Sequence, residues 1–258
     1  MQELKERAEQ EVTKIDSNIA LRPEAYSDIK EAKYRSEYKH ILNKGQAIVL
    51  KSRLRAIMKP DEHADENGEY FIRSLYFDTY SDKDLGEKRD SVPYREKFRI
   101  RFYNHDTSMI RLENKIKRFN SCLKISCALT KEEVIKILNK DYDFLKESNE
   151  PIKHKFYRDL VADIRTPKTI TDYIRTPFVS PLGNTRITID SDLRSPTGGL
   201  MDFFNPHSPT ISVFPDERCV LEVKYDEYIP DHIYKLIQQV DGSRTSAMSK
   251  YAACRKFL

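Results

Sequence analysis

The chain has 258 residues, is 39% hydrophobic and 33% charged, and carries a net charge of only +4, so it can bury a sizeable core as one domain and its basic character depends on where charges sit. Cys122, Cys127, Cys219 and Cys254 lack CxxC spacing, and six scattered histidines lack an HExxH pattern, which argues against a disulfide scaffold and a zinc enzyme. No run approaches the roughly 18 apolar residues of a membrane helix, and the start from Met1 to Lys14 is too polar for a signal peptide, so a soluble, cytoplasmic protein without a membrane span is expected.

In chain order, Leu4, Ala8, Val12 and Ile15 fall at helical spacing and predict an N-terminal helical extension over residues 1–33, ahead of a main domain over 34–258. Ala47, Leu50, Leu54 and Ile57 form the apolar stripe of a helix that ends before Pro60. Thr130 and Glu133 have the spacing of a capping box, in which each side chain satisfies a free backbone N–H at a helix start. Ile152, Phe156, Leu160 and Ile164 predict a further helix, as do Ile233, Leu236, Ile237 and Val240 before Asp241 and Gly242. The rest reads as eight strands, near 35–40, 69–77, 94–103, 108–117, 121–127, 168–178, 184–190 and 218–226. Eight strands can close a barrel, so the fold class predicted is α+β, an eight-stranded antiparallel β-barrel wrapped by amphipathic helices.

Side chains alternate across a strand. Arg95, Lys97, Arg99 and Arg101 therefore share one face, opposite Glu96, Phe98, Ile100 and Phe102. In the following strand Arg111, Glu113, Lys115 and Lys117 oppose Ile110, Leu112 and Ile116. Cys122, Lys124 and Ser126 oppose Leu123 and Ile125; Arg186, Thr188 and Asp190 oppose Ile187 and Ile189; Arg218, Val220, Glu222 and Lys224 oppose Leu221 and Val223. A single polar face is as well explained by solvent, but like charges on paired strands repel, and so dense a cationic surface calls for an anion across it. With the basic faces turned inward, the strands line a tunnel suited to phosphates, since Arg and Lys bind phosphate oxygens. Glu113 and Glu222 among these cations are salt-bridge partners or metal ligands; Mg²⁺ and Mn²⁺ are held by one or two carboxylates plus substrate phosphates. No helix-turn-helix, zinc finger or RNP motif is present, so sequence-specific nucleic-acid binding is not expected.

Seven short motifs occur in order: Glu37-Tyr38-Lys39, Ser74-Leu75-Tyr76-Phe77-Asp78, Lys97-Phe98-Arg99-Ile100-Arg101, Leu112-Glu113-Asn114-Lys115, Thr185 to Asp190, Leu221-Glu222-Val223-Lys224 and Ser249-Lys250-Tyr251. Together they resemble the VTC-type polyphosphate polymerase domain, a branch of the triphosphate tunnel metalloenzymes (CYTH-like), over about residues 34 to 256. The resemblance implies an enzyme, a phosphotransferase that moves the γ-phosphate of ATP onto a growing polyphosphate chain, with Mn²⁺ or Mg²⁺ as cofactor. It further implies phosphate binding by Lys39, Arg99, Arg101, Lys115, Lys124, Arg186, Lys224, Ser249 and Lys250, metal binding by Glu222, and a catalytic set of Lys39, Arg99, Arg101 and Glu222. ATP and polyphosphate or pyrophosphate are the implied partners. The chain departs from the superfamily's opening Glu-x-Glu-x-Lys, since Arg35 stands at the first carboxylate, and Ala247 stands where a basic residue is expected shortly before the Ser-Lys pair. A tunnel triphosphatase acting on inorganic, nucleotide or RNA 5′-triphosphate, and a non-catalytic polyphosphate or nucleotide receptor, are the alternative readings.

Overall fold

The structure, a computed structural model, describes residues 35–119, 121–162, 165–239, 243–244 and 248–257. The helix expected at the N-terminus, the boundary at residue 34, Ile164, Val240 and Ala247 lie outside the described residues.

Eight long or medium strands form the frame: β1 (Arg35–Leu42), β3 (Tyr70–Asp78), β4 (Tyr94–Tyr103), β5 (Asp106–Arg118), β6 (Ser121–Leu129), β7 (Thr166–Ser180), β8 (Thr185–Pro196) and β10 (Cys219–Tyr225). They hydrogen-bond in the order β7, β3, β4, β5, β6, β1, β10, β8, and a β7–β8 pairing returns the sheet to its start as a closed antiparallel ring. All eight match the strands expected from alternation. Three short strands lie outside the ring: β2 (Lys59–Pro60) on β7, β9 (Thr210–Ser212) on β8 and β11 (Ser243–Arg244) on β1. Among the described residues the β1–β6 seam is the shortest, with Arg35 opposite Cys122 and Ser36 opposite Ser121.

The helices are α1 (Lys44–Ile57), α2 (Lys83–Arg89), α3 (Lys131–Leu138), α4 (Pro151–Ala162), α5 (Asp231–Gln238) and α6 (Lys250–Cys254), and α1, α3, α4 and α5 roof the apolar outward faces. Phe98, Ile100, Phe102, Leu112 and Ile125 are buried with Val134 and Ile137 of α3 and Phe156 and Leu160 of α4. Leu42, Ile187, Ile189, Leu221 and Val223 pack with Leu50 and Leu54 of α1 and Ile233 and Ile237 of α5. Each such side chain contributes about 1.5–3 kcal/mol, and a one-residue slip would turn the whole set into the lumen, so burial fixes the register. Outside covered and apolar, inside polar, is the arrangement the alternation predicted.

The Thr130–Glu133 capping box opens α3 as expected, with Glu133 N–H donating to Thr130 Oγ1 at 3.1 Å and Thr130 N–H to Glu133 Oε2 at 2.8 Å. A second box, Asn43 with Gln46, opens α1 and was not read from the sequence. The stripe on α1 stops at Leu54, because Ile57 is exposed. Two helices were not anticipated, α2 and α6, and both bear on the lumen.

Candidate functional site

The inward faces enclose a cavity of about 890 Å³. Lys39, Arg99, Arg101, Lys115, Lys124, Arg186, Glu222, Lys224, Ser249 and Lys250, the full set implied by the resemblance, all line it. Two face assignments are corrected. Arg218 precedes the start of β10 and forms an exposed ion pair with Asp216 at 2.6 Å, so it does not face the lumen. Arg111 is exposed and does not line the cavity.

Carboxylates punctuate the cations. Glu222 stands opposite Lys39 across the β1–β10 pairing, and its oxygens lie 3.7 Å from Lys39 Nζ and 2.6 Å from Lys224 Nζ. Glu37, on the same face of β1, accepts from Lys115 Nζ at 2.9 and 3.1 Å and lies 3.4 Å from Lys39 Nζ. Burial and the neighbouring Glu222 push the Glu37 carboxyl up, but Lys115, Lys39 and Lys224 prevail and hold it at about 2. Burial likewise raises Glu222, and Lys224, Lys39 and Lys115 outweigh it, so this carboxyl ionises well below the usual range. Glu113 takes Arg99 at 2.6 Å and Lys124 at 2.9 Å and is also held well below its ordinary value, Arg99, Arg101 and Lys124 overcoming burial. Asp190 pairs with Arg175 at 2.6 Å and with Lys250, and these two cations offset its burial to leave it at about 2.

Several lumen groups were missed. Tyr173 and Arg175 line the cavity from β7, a strand whose alternation marks them, but whose partner Asp190 is known only once β7 and β8 are paired. Tyr76 presents its hydroxyl to Arg99 Nη1 at 3.1 Å; burial raises the phenol, yet Arg99, Arg101 and Lys250 bring it down to about 8. Arg35, which stands where the superfamily has a carboxylate, faces the cavity and is held by Asp226 at 2.9 Å. Lys88 reaches the lumen from the unanticipated α2, whereas Arg95, Lys97 and Lys117, which alternation already placed on the inward faces, also line it.

Asp78 explains how the two unanticipated helices are placed. Its Oδ1 accepts the N–H groups of Thr79 at 2.8 Å and Asp84 at 2.9 Å, and its Oδ2 accepts Leu85 N–H at 3.1 Å, which anchors the start of α2. The same Oδ2 takes the Tyr251 hydroxyl at 2.6 Å, which fixes α6 and with it Ser249 and Lys250. Asp78→Asn keeps an acceptor for Thr79 and Asp84 but turns an amide donor toward Tyr251 and Leu85. It is expected to cost about 2–3 kcal/mol and to weaken tripolyphosphate binding, whereas Tyr251→Phe loses one hydrogen bond and about 1 kcal/mol. Thermal melts with and without tripolyphosphate check this; equal effects of the two variants would remove Asp78 from that role.

Among the described residues no three His, Cys, Asp or Glu side chains gather to hold a metal on their own. Glu37 and Glu222 nevertheless fit a hard divalent ion, because they are ionised neighbours on paired strands and such ions take one or two carboxylates with the remaining oxygens from phosphate and water.

A family model described as the VTC domain matches residues 34–258. No curated protein matches the chain. Among solved structures, a candidate adenylyl cyclase from Hippeastrum with a dominant triphosphatase activity is 15% identical, with a TM-score of 0.52 over 86% of this chain and 96% of that one. A candidate adenylate cyclase from Bacillus halodurans is 16% identical, with a TM-score of 0.48 over 81% and 88%. A protein from Pyrococcus horikoshii is 11% identical, with a TM-score of 0.47 over 87% and 100%. At such identities the likeness to the Hippeastrum protein speaks for a common tunnel fold alone. No helix among the described residues is long and apolar enough to cross a membrane.

Proposed function

The chain belongs to the VTC domain family, and from that premise we propose that it is a polyphosphate polymerase, transferring the γ-phosphate of ATP to the end of a polyphosphate chain. The observation that carries this reading is the state of the lumen carboxylates. Glu37, Glu113, Asp190 and Glu222 are each held in ion pairs and ionise far below neutrality, and the conjugate base of so strong an acid accepts protons poorly. Hydrolysis needs a base to deprotonate water, whereas a terminal phosphate is already an anionic nucleophile that needs only to be held in line.

In this reading an oxygen of the acceptor's terminal phosphate attacks Pγ, the bond from Pγ to the bridging oxygen breaks, and ADP leaves with the electron pair. Lys39, Arg99, Arg101, Lys115 and Lys250 neutralise the phosphate oxygens, and Arg99 is pre-aligned by Glu113 and Tyr76 so that little reorganisation is needed. Glu222, with Glu37 beside it, would hold Mn²⁺ or Mg²⁺, which supplies further charge neutralisation on the phosphates.

Incubating the protein with ATP, Mn²⁺ and a short polyphosphate primer, and resolving products on a gel, tests the proposal. ADP together with chains longer than the primer is the expected result. Orthophosphate as the sole product besides ADP would favour a tunnel triphosphatase, and binding without turnover a receptor.

A further inference from the structure

The wall of the tunnel is uneven at one place. Ser74, Thr171, Asp190 and Glu222, which alternation turns inward on β3, β7, β8 and β10, are buried, whereas Lys124, Ser126 and Ala128, which hold the corresponding face of β6, are exposed. Met109 and Arg111 on the neighbouring β5 are exposed as well. The backbone shows why. On one side Leu123 to Leu129 pair continuously with Ile116 to Ile110 of β5; on the other side β6 meets β1 through Ser121 and Cys122, and among the described residues no strand borders the seven positions that follow. The opposite surface of the same strand is firmly held, since Leu123, Ile125, Cys127 and Leu129 are buried in the core shared with α3 and α4. Strand β6 thus offers a rigid row of N–H and C=O groups beside an open inner face, which is a template for another strand.

The direction of β1 supplies that strand. Its two pairs with β6, Arg35 opposite Cys122 and Ser36 opposite Ser121, are antiparallel, so each residue before Arg35 advances by one along β6. Continued in that register, Tyr34 falls opposite Leu123, Ala32 opposite Ile125 and Lys30 opposite Cys127 on the helix-covered side. Lys33 falls opposite Lys124, Glu31 opposite Ser126 and Ile29 opposite Ala128 on the inner side. The chemistry suits the faces. Tyr34 and Ala32 meet the apolar side, Ile29 meets the small Ala128, and Glu31 stands diagonal to Lys124, where it offsets the like charge of Lys33 across from it. The helical stripe from Leu4 to Ile15 ends before Pro23, and no proline follows it before Arg35, so every residue of this stretch can donate to a ladder.

We infer that residues 28–34 extend β1 along the free edge of β6 and complete the wall of the tunnel. These seven residues match the seven positions from Leu123 to Leu129 and need no linker, because Arg35 already stands in the seam. The domain then starts near Asp28, ahead of residue 34. Filling this edge closes the lateral opening beside Lys124 and leaves β6 no row of free backbone groups with which to pair a second chain. The inference is independent of whether the tunnel polymerises, hydrolyses or only binds phosphates.

The test uses the full chain. Amide hydrogen exchange should find the N–H groups of Leu123–Leu129 that point away from β5 slowed at least about 100-fold relative to an unstructured chain. Ala32→Pro, which cannot continue a ladder, should remove at least about ten-fold of that protection and leave the amides bonded to β5 as they were. Exchange at the unstructured rate, or protection that Ala32→Pro leaves unchanged, would overturn the inference. Register is read from disulfides, which need Cα atoms about 4.4–6.8 Å apart. On oxidation, Glu31→Cys/Ser126→Cys should form an intramolecular link between positions 31 and 126, identified by peptide mass, at least about ten-fold faster than Lys30→Cys/Ser126→Cys, whose new thiols start on opposite faces. Equal rates would reveal a tethered segment colliding at random, and a disulfide-linked dimer would assign the edge to a second copy; either result overturns the strand. The oxidised Glu31→Cys/Ser126→Cys protein should bind tripolyphosphate within about three-fold of its reduced form, since a wall leaves the lumen free. A loss beyond about ten-fold would make the segment a plug and overturn the closure of the wall. Binding by neither form, with the cross-link in place, would count against the phosphate tunnel and leave the strand standing.

Discussion

Glu222→Gln is expected to lower metal-dependent ATP turnover by about 100-fold or more, and at the same time to tighten metal-free tripolyphosphate binding about three-fold to ten-fold. The two effects have opposite signs because the carboxylate has two roles. It is the buried anion that fits a divalent ion, and it is the counterion of Lys224 at 2.6 Å and Lys39 at 3.7 Å. Gln keeps the shape and an oxygen acceptor for Lys224 but removes the charge, so both lysines face the lumen with more of their field unspent. Glu37 alone then remains beside the metal position, and it is itself committed to Lys115 at 2.9 Å. Steady-state turnover over a range of Mn²⁺ concentrations and calorimetry in chelator give the two numbers. Near-normal turnover in the variant would reduce Glu222 to a salt-bridge partner.

The ring was legible because both faces of its strands are chemically marked. Phe98, Ile100 and Phe102 alternate with Lys97, Arg99 and Arg101, so the period of two is written twice in the same residues, once in oil and once in charge. The same alternation placed Lys115, Lys124, Glu222 and Lys224 on the lumen side before any pairing was known. The helix α2 had no such signature. Its seven residues bury only Asp84, and what holds it is the carboxyl of Asp78 at the end of the preceding strand together with Arg165, which is remote in sequence. Lys88 was out of reach of sequence reasoning for that reason.

Parity gives the face of a side chain and leaves its partner undetermined. Arg175 and Asp190 meet because β7 pairs with β8 in one register, and Lys115 meets Glu37 only because β5 and β1 both flank β6 in a closed ring. The sequence-based expectation of many cations and few carboxylates thus becomes a cavity wall in which the ionised Glu37 and Glu222, and Glu113 and Asp190 buried against the lining cations, are each neutralised locally, as Asp226 is paired with Arg35. That arrangement weakens the case for a protein base and strengthens the case for a phosphate nucleophile. It also limits simple charge-removal experiments, since most lumen cations are now half of a buried pair.

Arg99→Ala is expected to abolish the thermal stabilisation by tripolyphosphate and also to cost about 3–5 kcal/mol of stability, because it strips a buried anion of its main partner. Glu113 is 1% exposed and depends on Arg99 at 2.6 Å, with the half-exposed Lys124 as its other contact. Arg101 differs, since it donates to Ser74 Oγ at 2.8 Å and the Tyr173 hydroxyl at 3.0 Å and acts on Glu113 only from beyond ion-pair distance, leaving that carboxylate its partners Arg99 and Lys124 when removed. Arg101→Ala should therefore cost less stability, about 1–2 kcal/mol, while still reducing the ligand-induced rise in melting temperature. The double variant Arg99→Met/Glu113→Gln separates folding from binding: it removes both charges of the buried pair, so stability should recover to within about 1 kcal/mol of the parent. The tripolyphosphate shift should not recover with it, because the lost guanidinium is what the phosphate oxygens require. Denaturant midpoints measure the first quantity and melting with ligand the second. A double variant that keeps the parent's full shift would assign Arg99 to the fold and leave phosphate binding to the lysines.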